Sequence, residues 1–130
     1  MILIGHPYIN FHAFEKIEKK EDISNTSSNA VVVFDFSKES VSLCHYAEKN
    51  SILFALFVKE ERDVILASAL GASYIICDKS LIKTAQTFAD GYLFDAKILL
   101  YSTSEEDIEY AANSSIDGIL FKEGIKDGSN

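Results

Sequence analysis

Proline occurs once in this sequence, at Pro7, and glycine six times, which excludes fibrous and proline- or glycine-rich disordered architectures. Cysteine occurs only at Cys44 and Cys77, far apart and in no Cys-x-x-Cys pair. That excludes a disulfide scaffold, and both side chains read as buried thiols. Neither Gly-x-x-x-x-Gly-Lys-[Ser/Thr] nor Gly-x-Gly-x-x-Gly appears, so both glycine-rich nucleotide loops are missing. Basic residues are in deficit, 12 Lys and Arg against 20 Asp and Glu, for a formal charge of -8. Phosphate backbones are repelled by such a mean field, so no nucleic-acid partner is expected. No apolar run reaches the length of a membrane span, and the first one, residues 1–4, is shorter than a signal-peptide core and lacks a basic flank. A cytoplasmic location with no membrane association is the expectation.

What remains is ordinary globular material. The chain has 130 residues, 48% of them apolar and 25% charged, enough for one core and too short for two. Its organising stretch is Ile52-Leu53-Phe54-Ala55-Leu56-Phe57-Val58, seven apolar residues without polar alternation. A strand with one wet face alternates, so this run predicts a strand covered on both faces, as in a parallel sheet. Burying such side chains contributes about 2 kcal/mol each before entropy is subtracted.

Similar short apolar runs mark strands at 1–5, 30–34, 72–77, 97–101 and 118–121. Helical spacing of Val41, Cys44 and Ala47, of Val64, Ala67 and Leu70, of Leu81, Ala85, Phe88 and Ala89, and of Ile108, Ala111 and Ala112 places helices between them. Asn10 is positioned to cap a helix from Phe11 that turns Phe14 and Ile17 inward and pairs Glu15 with Lys19. Residues 24–29, rich in Ser and Asn, read as the most mobile loop. Laying Phe54-Ala55-Leu56 over Ile98-Leu99-Leu100 also lays Asp63 over Asp107, Ala67 over Ala111 and Ile75-Ile76 over Ile119-Leu120. Strand centres recur about every 22 residues, the spacing of parallel crossovers.

The predicted fold is therefore α/β: a single three-layer domain, residues 1–122, with a mostly parallel sheet of about six strands and about five helices. Residues 123–130 read as a flexible C-terminal tail. An open doubly wound sheet is preferred over half of a (βα)8 barrel, which would leave its inner face bare. Because the last strand has no helix after it, part of the sheet is expected to stay uncovered and to drive homodimerisation.

Ligands of parallel α/β folds bind at the carboxyl ends of the strands. Asp78-Lys79-Ser80 is the ligand-binding candidate there, since an ammonium, a hydroxyl and free amides at a helix start suit a small anion. His6 with Asp35 is the catalytic candidate, a base and its orienting carboxylate, if their strands are adjacent. Cys44 and His45 project about 100° apart on a helix, so no metal site and no cofactor are expected.

Residues 51–90, centred on Ala69-Leu70-Gly71-Ala72-Ser73-Tyr74-Ile75, resemble the second half of a response-regulator receiver domain, a flavodoxin-like fold. By that resemblance Asp35 corresponds to the phosphoacceptor, Lys79 to the receiver lysine and residues 80–89 to the signalling helix. Val58 stands where receivers have Ser or Thr, and Gly5-His6 where they have a pair of acids. Ile116-Asp117-Gly118-Ile119-Leu120-Phe121 is similar to late strands of phosphate-binding (βα)8 barrels. The expectation is a small cytoplasmic α/β binding or interaction module that self-associates. One alternative is an enzyme or binder acting on a small phosphorylated or anionic metabolite at the C-terminal edge of the sheet; the other is a degenerate receiver.

Overall fold

In the computed structural model, which describes residues 1–127, eight short strands form one sheet. They are β1 (Ile2–Ile4), β2 (Phe14–Lys16), β3 (Val31–Asp35), β4 (Phe54–Phe57), β5 (Tyr74–Cys77), β6 (Lys97–Ser102), β7 (Gly118–Phe121) and β8 (Ile125–Asp127). A 3-10 helix, Lys20–Asn25, joins β2 to β3. The next four connections carry α1 (Val41–Lys49), α2 (Glu61–Ala69), α3 (Ile82–Tyr92) and α4 (Asp107–Asn113). Strand order is β1-β7-β6-β5-β4-β3-β2-β8 and every neighbouring pair is parallel. The expected α/β class, parallel sheet and five helical connections are all present, with eight strands in place of about six. No helix among the described residues is long and apolar enough to cross a membrane.

From β2 to β7 each strand lies beside its predecessor, without the reversal of direction that defines a switch point in doubly wound sheets. The four α-helices pack on one face. Val32, Phe34, Phe54, Leu56, Ile75, Cys77, Ile98, Leu100 and Ile119 meet Cys44, Ala47, Val64, Ala67, Ile82, Ala85 and Ala111 there in one cluster. The opposite face has no helix, yet Ile4, Phe14, Val31, Val33, Ala55, Ile76, Leu99 and Leu120 on it are all buried, and Ile125 packs against them. Those residues come from all eight strands and cover one another. Where an open sheet uses a second helical layer, this one curls and fills its own concavity, as a barrel does.

Chain connectivity requires the curl. β7 is second in the order and β8 last, so in a flat sheet about 29 Å would separate them. Only residues 122–124 join Phe121 to Ile125, a reach of about 14 Å. This connector passes over the end of β1. A Cβ on Gly5 would lie 2.5 Å from the Gly124 nitrogen, and one on Gly124 would lie 2.8 Å from the Ile4 carbonyl oxygen. Gly5 also has φ +100°, a left-handed conformation that a side chain strains. Among the described residues β1 pairs only with β7 and β8 only with β2, so the two edges meet through this glycine contact and not through a ladder.

Two stretches differ from expectation. Residues 11–19 hold β2 and not a helix: Phe14 and Lys16 face the concavity, while Glu15 is buried and its carboxylate accepts from the Ser27 amide at 3.2 Å. A spacing of three between Phe14 and Ile17 fits a helix, but pairing with β3 and β8 satisfies the backbone on both sides. Residues 123–127, expected in the tail, form the end of a 3-10 turn and β8, because β2 offers a free edge; residues 128–130 lie outside the described residues. The centre of the 52–58 run is covered on both faces as expected, with Phe54, Ala55 and Leu56 at most 1% exposed, but the strand is shorter than the run and Leu53, just before it, is 56% exposed.

Candidate functional site

Alternation along the strands carries the inward-facing rows out of the apolar plug and into polar residues at the carboxyl ends. Phe14 is followed by Lys16, Val33 by Asp35, Ala55 by Phe57, Leu99 by Tyr101 and Leu120 by Lys122. The register sets Asp127 directly beside Lys16 and Asp35 beside Phe57. These side chains ring the mouth of the barrel above a floor of buried aliphatic groups.

A cavity of about 480 Å³ opens there, lined by Lys16, Glu18, Phe57, Tyr101, Lys122, Ile125 and Asp127. Phe57 and Tyr101 meet edge to face, ring centres 5.7 Å apart and planes at 74°. Lys16 Nζ lies 5.2 Å from the centre of the Phe57 ring and 3.6 Å from Asp35 Oδ1. A groove of about 690 Å³ between the 3-10 helix and α1 shares Lys16 and Glu18 with the cavity. The arrangement offers a small molecule an aromatic wall, two ammonium groups and nearby carboxylates.

The residues singled out from sequence lie elsewhere. Asp78 Oδ1 accepts from the Ser80 amide at 3.0 Å, the Leu81 amide at 3.2 Å and Ser80 Oγ at 2.6 Å. The amides leading into α3 are thus already met by the protein's own carboxylate, as a cap and not as an open anion cradle. Lys79 Nζ is 2.7 Å from Asp107 Oδ1 and 4.8 Å from the Tyr110 ring centre. Ser102 Oγ donates to Asp107 Oδ2 at 2.6 Å. The Lys79 hydrogen bond, then that from Ser102, holds the Asp107 carboxyl below the usual carboxylate range, and Asp107 in turn pushes the Lys79 ammonium up.

His6 and Asp35 are not brought together. His6 is buried, its Nδ1 accepts from the Tyr8 amide at 3.1 Å, and its Nε2 faces Glu105 Oε1 at 3.3 Å. An Nδ1 acceptor assigns the neutral ring's proton to Nε2, which donates to Glu105. Asp35 faces Lys16 instead. Lys16, Phe57 and Tyr101 were not selected from sequence, although a signal for them exists: each lies two positions beyond a buried, inward-facing apolar residue. Among the described residues no group of three or more His, Cys, Asp and Glu is placed to hold a metal ion. No protein-family model matches the chain, and no curated protein matches its sequence.

Proposed function

We propose that this protein is a small-molecule-binding α/β module that takes an organic anion at the carboxyl mouth of its curled sheet. The observation that carries the reading is the 480 Å³ cavity, where Phe57 and Tyr101 form an apolar wall and Lys16 and Lys122 bring two ammonium groups to the same space. Its volume lies within the range of small-ligand pockets, and an apolar wall with a few convergent polar groups is their usual composition. The reading keeps the anionic ligand at the C-terminal edge of the sheet but moves it from Asp78, Lys79 and Ser80, since Asp78 accepts from Ser80 and Lys79 pairs with Asp107.

Self-association is not part of the proposal. It was motivated by an uncovered sheet face, and the curl covers that face with the sheet's own side chains. Two buried free thiols support a reducing, cytoplasmic setting.

A thermal-shift screen of the whole chain against small aromatic and aliphatic carboxylates tests the reading. Concentration-dependent stabilisation by at least one carboxylate, lost in Phe57→Ala and reduced in Lys122→Ala, is expected. Stabilisation that persists in both variants, or none by any carboxylate, would remove the mouth as the site.

A further inference from the structure

We infer that the ligand of the mouth is zwitterionic, an amino-acid-like molecule with a ring, an anionic group and a cationic group. The inference rests on the proposed binding role of the cavity and narrows its chemistry. Lys16 and Lys122 bring two positive charges to the rim, and Glu18 and Asp127 in the lining, with Asp35 beside Lys16, bring three negative ones, on a chain whose formal charge is -8. A ligand bearing only negative charge meets more carboxylates than ammonium groups and is repelled by the mean field besides. A ligand bearing both signs is complementary to the rim as it stands.

Of two lysine–aspartate pairs among the described residues, one is available. Lys79 and Asp107 are 2.7 Å apart, with only 15% of the Asp107 side chain exposed and Ser102 donating to it. That pair is closed. Lys16 and Asp35 are 3.6 Å apart, with 37% and 71% of their side chains exposed. This exceeds the roughly 2.8 Å of a good charge-assisted hydrogen bond, so a ligand can insert without breaking a strong contact. Its anionic group then faces Lys16 and Lys122, its ammonium faces Asp35 and Glu18, and its ring lies against Phe57 and Tyr101.

Calorimetric titration of the whole chain with L-phenylalanine, 3-phenylpropionate and 2-phenylethylamine separates the charges on one common ring. L-Phenylalanine is expected to bind at least about tenfold tighter than either single-charge analogue, a difference of about 1.4 kcal/mol. Asp35→Asn is expected to bring its affinity down to that of 3-phenylpropionate and to leave 3-phenylpropionate itself unweakened. Equal binding of L-phenylalanine and 3-phenylpropionate to the unaltered chain would overturn the zwitterion inference and keep the mouth as an anion site. Binding of 2-phenylethylamine alone, or of none of the three, would overturn the inference and the binding role together.

Discussion

The rings of Phe14 and Tyr74 lie 4.9 Å apart, although their strands, β2 and β5, are separated in the sheet by β3 and β4. Three strand spacings would hold them about 14 Å apart on a flat surface, so this contact crosses the interior of the curl. Phe14→Ala is therefore expected to destabilise the protein by about 3 to 5 kcal/mol, since it opens a cavity between strands that share no ladder. Urea unfolding should show a lower midpoint with the secondary structure of the helical side retained at low denaturant. A loss under about 1 kcal/mol would mean that the inner face does not close.

The crossing of Gly124 over the end of β1 leads to a second expectation. Gly5→Ala adds a Cβ against the Gly124 backbone and strains a φ of +100°, and is expected to cost at least about 2 kcal/mol. Gly91, which has nothing within 4 Å of an added Cβ, is the control: Gly91→Ala should leave stability unchanged or raise it. Thermal denaturation of the two variants side by side measures the difference.

The Asp107 network has a defined pH dependence. Its carboxyl titrates lower in the folded protein than in the unfolded chain, so the stability it contributes is whole above the unfolded value of about 4 and is lost as pH falls through the lowered folded value. The Lys79 ammonium is shifted the other way, so its share is present at neutral pH and is lost only as pH rises through the raised folded value. Asp107→Asn is expected to cost about 1 kcal/mol at neutral pH through the weakened Ser102 bond. It should also flatten the decline of stability below about pH 4, which denaturation melts from pH 2 to 7 would show. An unchanged acid limb would assign that decline to other carboxylates.

Burial pushes the Cys77 thiol up to about 12 and the Cys44 thiol up to about 11. Cys77 sits at the end of β5 and Cys44 on the sheet side of α1, both without a disulfide. Because the thiolate is the reactive form, an aromatic disulfide reagent at pH 8 should find both groups protected in the folded protein and both titratable in urea. Rapid native reaction of either would place that residue at the surface.

The central strands were legible because each is a short apolar run flanked by residues at helical spacing. Phe54, Ala55 and Leu56 admit little else. β2 and β8 were not, since Phe-Glu-Lys and Ile-Lys-Asp are too short and too polar to display a period of two. Their state depends on each other, across more than a hundred residues of chain. The curl itself leaves no local trace: Val33, Ala55 and Leu99 would look the same on a flat sheet covered by helices. At the candidate site, local chemistry drew attention to Asp78-Lys79-Ser80, while the partner that occupies Lys79, Asp107, lies on another connection. Lys16 has no distinguishing local signal until the alternation of its strand places it above the plug.

The three-residue bridge from β7 to β8 also has a kinetic meaning. β2 through β6 can add to one another as each strand emerges, every new strand pairing with the last. β1 has no partner until β7 exists, and β2 keeps an open edge until Ile125–Asp127 arrive. The interior can dry only after both of these long-range pairings form, so the barrier to folding should rest on a late loop closure whose rate is set by the ends of the chain and not by its helices.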